Sequence, residues 1–256
     1  MQDTTLLNDS KLVLKIAETQ SELEACFHLL HEAYVANDFM EPHPSEMRVT
    51  PYHALPTTTT LCAIYDGEVV GTISLIRDGV FGFPMQKAFD LHGVREKGGQ
   101  IAEVSALAVH PRFRRTVGLV VMPLMKFMYG YCTRYFDTRH LVIAVNPSHI
   151  AFYESLLMFQ RLFNQVVECY GFVNGAPAVG ATLDLIEAPD LMRAANASKA
   201  GKKRDMAHYF LNTELPNIQW PSRRYHITND PVMTPALIDH FFNERTDTFK
   251  TMERRQ

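Results

Sequence analysis

Glu103 and the run Arg115-Thr116-Val117-Gly118 are the residues whose types and spacing point to chemistry, and both lie within Ile101 to Val121, IAEVSALAVHPRFRRTVGLVV. Val104 to Val109 is short and β-branched enough for a buried strand, and Pro111 ends it. Arg115 to Gly118 then offers backbone N–H groups at the mouth of a following helix, an arrangement that holds a phosphate. With Glu103 at the start of the strand, the stretch sets a base beside a phosphate.

The surrounding pattern must position these groups. Leu12 to Ile16 alternates as a strand, and Ser21 with Glu24 predicts a capping box before a helix whose Leu23, Cys26, Phe27, Leu30 and Tyr34 share a face. A loop rich in Pro and His runs from Asn37 to Pro56. Thr60 to Tyr65 and Val69 to Ile76 read as strands joined by Asp66-Gly67, a dipeptide suited to the positive φ values of a tight hairpin. A short helix is expected around Met85 to Leu91, a longer one after the Glu103 strand as far as about Phe136, and a strand from Leu141 to Val145. Asn146-Pro147 reads as the cap and first residue of another helix. Strands at Leu162 to Tyr170 and Ala178 to Ile186, with a turn at Asn174-Gly175, complete the set. The order predicts an α/β (mixed α+β) fold, a mixed central sheet with helices on both faces. Composition shifts beyond Pro189, so residues 1–188 form the expected domain and 189–256 a C-terminal helical extension, including an amphipathic Leu237 to Phe249.

At 256 residues and 46% hydrophobic the chain can bury a large core, and a net charge of -3 argues against a nucleic-acid binder driven by bulk charge. The arginines cluster instead, at Arg112, Arg114 and Arg115 and again at Arg134 and Arg139, as a patch for an anionic group or an acidic partner. Cys26, Cys62, Cys132 and Cys169 lie far apart without CxxC spacing, which argues against zinc and disulfides and fits a reducing cytoplasm. The N-terminus lacks a signal-peptide core, and no run approaches a membrane span, so a cytoplasmic protein without stable membrane insertion is expected. His28 and His31 have no third ligand at a recognisable spacing, and no metal is expected. His43, His53 and His110 carry no pattern, and Ser105 lacks a nucleophile-elbow context.

The order of elements, the Arg115-x-x-Gly118 turn and the block Asn146 to Phe159, NPSHIAFYESLLMF, resemble the GNAT acyltransferase fold. Within it, Glu103-x-Ser105 and the segment Gly82 to Arg95 are most similar to the bacterial N-acyl-amino-acid synthases, relatives of the N-acyl-homoserine-lactone synthases. The resemblance spans roughly Leu12 to Glu187. It implies transfer of a long-chain fatty acyl group from an acyl-carrier-protein thioester to the amine of an amino acid or similar small molecule. No cofactor would be bound permanently; the acyl-phosphopantetheine thioester, on carrier protein or coenzyme A, would be co-substrate.

Roles follow from that chemistry. A protonated amine cannot attack a thioester, so Glu103 is the expected base, directly or through water. Backbone N–H groups from Leu107 to Val109 would hold the oxyanion if the strand bulges there. Tyr153 would protonate the leaving thiolate, although its helical spacing with Phe152, Leu156 and Phe159 equally describes a core aromatic. Arg114, Arg115, Thr116, Val117, Gly118 and Asn146 would bind the phosphopantetheine arm.

The turn departs from the family pattern. Val120 stands where Gly or Ala is usual and would crowd a diphosphate, and Pro123 fits a helix only near its first residue. A single phosphate on a carrier protein needs less of this turn, and Arg112, Arg114 and Arg134 would dock the acidic carrier. Met122 to Met128 and Phe152 to Phe163 suit either an acyl tunnel or a core, with Phe241, Phe242 and Phe249 as a lid for the former. The competing readings are a coenzyme A-dependent N-acetyltransferase, a homoserine-lactone synthase, and a non-catalytic acyl or carrier-protein binding module on the same fold.

Overall fold

The computed structural model describes residues 11–114, 118–163, 165–197, 205–221 and 234–242. Its seven strands form one sheet: β1 (Leu12–Ile16), β2 (Thr58–Tyr65), β3 (Glu68–Arg77), β4 (Gln100–Val109), β5 (Thr138–Val145), β6 (Gln160–Arg161) and β7 (Val179–Asp184), in the order β1-β2-β3-β4-β5-β7-β6. β4 and β5 are parallel, and the other pairings are antiparallel. This is the mixed sheet expected from the sequence.

Period-two alternation divides the sheet's residues between two cores. In β2, Leu61 and Ala63 join the cluster under α4 (Val121–Tyr135), while Cys62 and Ile64 join the cluster under α1 (Gln20–Val35). Met122, Met125, Met128 and Phe127 all lie in the α4 core, so that run fills the interior and lines no tunnel. Asp66 and Gly67 take φ values of 54° and 87°, as the β2–β3 hairpin requires.

Local signals that admitted more than one register were settled by neighbours. The α1 box uses Thr19 and Glu22 instead of Ser21 and Glu24: Thr19 Oγ1 accepts the Glu22 N–H at 3.2 Å and Glu22 Oε2 accepts the Thr19 N–H at 3.1 Å. Lys15 at the end of β1 selects this register by pairing with Glu22 at 2.6 Å, and Glu24 turns to His240 at 2.6 Å. Asn146 does not cap a helix. Its Oδ1 accepts from the Ser148 N–H and hydroxyl at 3.0 and 2.7 Å, closing a turn, and α5 (Ile150–Leu157) starts later.

Two further expectations change. The helix expected over Met85 to Leu91 is a 3-10 turn, Pro84–Lys87, followed by the short α2 (His92–Glu96). The strand expected from Leu162 to Tyr170 is only β6 plus a bridge at Val167, because Tyr170 turns inward to pack against Phe89 and Phe172.

Beyond α6 (Ala188–Ala197) the chain packs onto this body. Lys126 in α4 donates to the carbonyls of Tyr209 and Phe210 at 2.6 and 2.8 Å, and Ile218 bridges to Leu14 at the sheet edge. Phe241 and Phe242 of α7 (Pro235–Phe242) are buried in the α1 core.

Candidate active site

The parallel pairing of β4 with β5 ends at Glu103 opposite Val142. Beyond that point β5 continues to Val145 paired only with β7, and β4 continues to Val109 paired only with β3. The two strands therefore splay, and a cavity of about 530 Å³ opens between them, a size within the range of small-molecule sites. Glu103 sits at the apex of the wedge.

The carboxyl is 2% exposed, not at a surface rim as a residue near a strand start suggests. One oxygen accepts the Met85 N–H at 2.9 Å. The other has no hydrogen-bond partner among the described residues. Burial raises the pKa of Glu103 from 4.5 to about 8, and the Met85 hydrogen bond only partly opposes this.

On the same strand, Ser105 pairs with Ser74 and Ala108 with Thr72, so Ala106 and Leu107 together face Ile73 in a bulge. Ala106 has φ 53°, a left-handed conformation rare for a side chain-bearing residue. Backbone groups of β4 beyond Glu103 have no β5 partner and border the cavity, where an oxyanion needs donors.

Six of the expected site residues border this one cavity: Glu103, Leu107, Val109, Arg114, Asn146 and Tyr153. Arg114 lies at the end of α3 (Pro111–Arg114), and its Nε donates to the Val109 carbonyl at 3.0 Å. Gly118 is described but is not part of the cavity wall, and Arg115, Thr116 and Val117 lie outside the described residues. The Tyr153 hydroxyl has no hydrogen bond among the described residues, and burial pushes its pKa above the ordinary phenol value.

Val120 packs into the α4 core. It is buried and faces Gly71 on β3, where a Cβ would stand 2.5 Å from Val120 Cγ1. The larger side chain at the turn is thus accommodated by a missing one on the strand. Pro123 is the third residue of α4, and the helix's backbone bonding begins after it, with Leu124 N–H to Val120 C=O at 3.1 Å. Its missing N–H is one that a helix start leaves unpaired in any case.

The arginine patch is smaller than the sequence suggests. Arg134 lies at the far end of α4, about 20 Å from Val121 at the helical rise, and its guanidinium stacks on Trp220 at 4.3 Å. Arg139 pairs with Asp184 at 3.1 Å. Among the described residues of the cluster, Arg114 borders the cavity and Arg112 lies beside it on α3, its guanidinium 5.1 Å from the Phe113 ring centroid and 3.5 Å from the exposed Glu68. Phe241 and Phe242 line no part of the cavity, and Phe249 lies outside the described residues.

Sequence reasoning did not single out the opposite wall, built from Tyr34, Phe39, Tyr170 and Phe172. Arg48 is wedged behind it, its guanidinium 4.1 Å from the Tyr34 ring centroid and 5.1 Å from that of Phe172. Helical spacing marks Tyr34 only as part of an apolar helix face and marks none of the others as site residues; they come together because α1, the following loop and the segment after β6 converge there. Among the described residues no group of His, Cys, Asp and Glu is placed to hold a metal ion, and no helix is long and apolar enough to cross a membrane.

Residues 25–184 match the family of the N-acyl amino acid synthase FeeM. The chain belongs to the FeeM family. FeeM itself, an N-acyl amino acid synthase from uncultured soil microbes, superimposes with a TM-score of 0.62 at 26% identity, covering 73% of this chain and 97% of that one. The fold extends to BjaI, a coenzyme A-dependent acyl-homoserine lactone synthase solved with SAM and isopentyl-CoA, with a TM-score of 0.51, 18% identity and coverage of 77% and 97%. It extends also to an N-acetyltransferase from Staphylococcus aureus Mu50, with a TM-score of 0.50, 15% identity and coverage of 69% and 99%. No curated protein matches in sequence. This FeeM-family protein is an N-acyltransferase on a GNAT fold, as the resemblance implied.

Proposed function

We propose that this protein transfers a long-chain fatty acyl group from an acyl-carrier-protein thioester to the amine of an amino acid, and that Glu103 is the base. The observation that carries the reading is the buried Glu103 carboxyl at the apex of the β4–β5 wedge. A carboxylate with a pKa near 8 is a far stronger base than an exposed one and is better matched to an ammonium. The ammonium enters beside Glu103 and gives up a proton to it. The freed amine attacks the thioester carbonyl, and β4 N–H groups at the Ala106–Leu107 bulge receive the oxyanion. Collapse of the intermediate forms the amide and expels the sulfur, which takes the second proton from the nitrogen and leaves as the thiol, while the first proton stays on Glu103 until it is released to solvent. Tyr153 supplies a hydrogen bond to that sulfur; full proton transfer from so weak an acid to a thiolate is uphill.

Arg114 and Asn146, which border the cavity, receive the phosphopantetheine arm together with Arg115 to Gly118, and the charges of Arg112 and Arg114 attract the acidic carrier. Residues 1–188 carry the chemistry as one domain, the described parts of 189–256 brace it, and the enzyme works in the cytoplasm. A coenzyme A donor is the second reading, because the Val120 side chain is taken up by the core against Gly71.

Mass spectrometry of lipid extracts from cells expressing the wild type or Glu103→Gln tests the reaction. New N-acyl amino acids that vanish in the variant support it. Acetylated amines favour the acetyltransferase, and no new product favours a binding module.

A further inference from the structure

The wall facing Glu103 carries two polar groups that the proposed transfer does not use. Tyr170 is 3% exposed and borders the cavity, and its hydroxyl has no hydrogen-bond partner among the described residues. A buried hydroxyl without a partner is costly and rare in folded proteins. Arg48 is half-buried between Tyr34 and Phe172, which both border the cavity. Its Nη2 donates to the Phe172 carbonyl at 2.9 Å, and it has no carboxylate partner among the described residues. A guanidinium held in apolar surroundings without an anion leaves positive potential on that side of the cavity.

Glu103 takes a cation and this wall takes an anion. An α-amino acid presents both, one carbon apart. We infer that Tyr170 and Arg48 form the subsite for the acceptor's carboxylate, the Tyr170 hydroxyl donating to it and the Arg48 charge lying behind the Tyr34 and Phe172 rings. This rests on the proposed amino-acid transfer and names the group that separates an amino acid from a simple amine. Tyr170 and Arg48 act on recognition, so their loss raises the requirement for acceptor and leaves the acyl donor's KM unchanged.

Binding of the reaction's product class tests the subsite without requiring turnover. The intact protein is titrated by calorimetry with N-dodecanoyl derivatives of glycine, leucine and phenylalanine, each as free carboxylate and as carboxamide. The wild type is expected to prefer at least one carboxylate by about 10- to 100-fold, the worth of a charge-assisted hydrogen bond. Tyr170→Phe and Arg48→Met should each bring that ratio towards one while binding the carboxamide as the wild type does. A wild-type ratio near one for all three pairs, or a ratio unchanged in both variants, overturns the inference. Failure of the underlying reading looks different: no amino acid is acylated from any long-chain thioester, whatever the binding ratio.

Discussion

Glu103 and Met85 are joined by a 2.9 Å hydrogen bond in which the Met85 N–H donates to one carboxyl oxygen, fixing the side chain and leaving the second oxygen without a partner among the described residues. That bond orients the carboxyl without providing the charge that would hold its pKa at the ordinary value. Glu103→Gln preserves the shape and keeps an acceptor for Met85 but removes the proposed base. Turnover should fall by about 10²- to 10⁴-fold with little change in acyl-donor KM, as measured by steady-state kinetics.

The same burial sets the pH dependence. Because the folded carboxyl titrates near 8 and the unfolded one near 4.5, the folded protein holds the proton more tightly. Stability therefore falls as pH rises from 4.5 to about 8, by as much as about 5 kcal/mol. Denaturant titrations across this range should show the decline in the wild type and a flatter profile in Glu103→Gln. Activity runs the other way, with kcat/KM rising towards a plateau above about pH 8 as the carboxylate forms.

Val120 and Gly71 fit as a pair. A Cβ at position 71 would lie 2.5 Å from Val120 Cγ1 and 2.9 Å from Leu124 Cδ1. Gly71→Ala should cost about 1–3 kcal/mol through overpacking, and Val120→Ala in the same chain should recover part of that loss. A double-mutant cycle of melting curves with no coupling would show that the two do not share the space.

The proposed carrier docking through Arg112 and Arg114 would have a salt signature. Arg112→Glu with Arg114→Glu should raise KM for an acyl carrier protein at low ionic strength, with the difference shrinking as salt screens it. Reversing Arg134, stacked on Trp220 at the other end of α4, should leave KM unaltered.

Tyr153→Phe separates the two roles its position allows. If the hydroxyl contacts the leaving sulfur, kcat should drop by about tenfold, the worth of one hydrogen bond. Stability should hold, since that hydroxyl has no partner to lose among the described residues. Full activity would reduce Tyr153 to an aromatic packed against Phe152 and Phe159.

By itself the sequence determined what short-range chemistry encodes. Asp66-Gly67 tolerates positive φ and made the hairpin; Pro111 ended the Glu103 strand; alternation in Leu61 to Ile64 assigned two core faces; and the strand carrying Glu103 stood out, which proves to border the cavity. The capping box expected at Ser21-Glu24 forms instead at Thr19-Glu22, where Lys15 from a neighbouring strand pairs with Glu22. Tertiary structure alone decided that Glu103 is buried and basic, because desolvation depends on the segments that cover it and not on its own neighbours in sequence. It turned Val120 onto Gly71, carried Arg134 away along α4, and brought Tyr34, Arg48 and Tyr170 to one wall. Charge, depth and convergence are properties of packing between distant segments, and no local period records them.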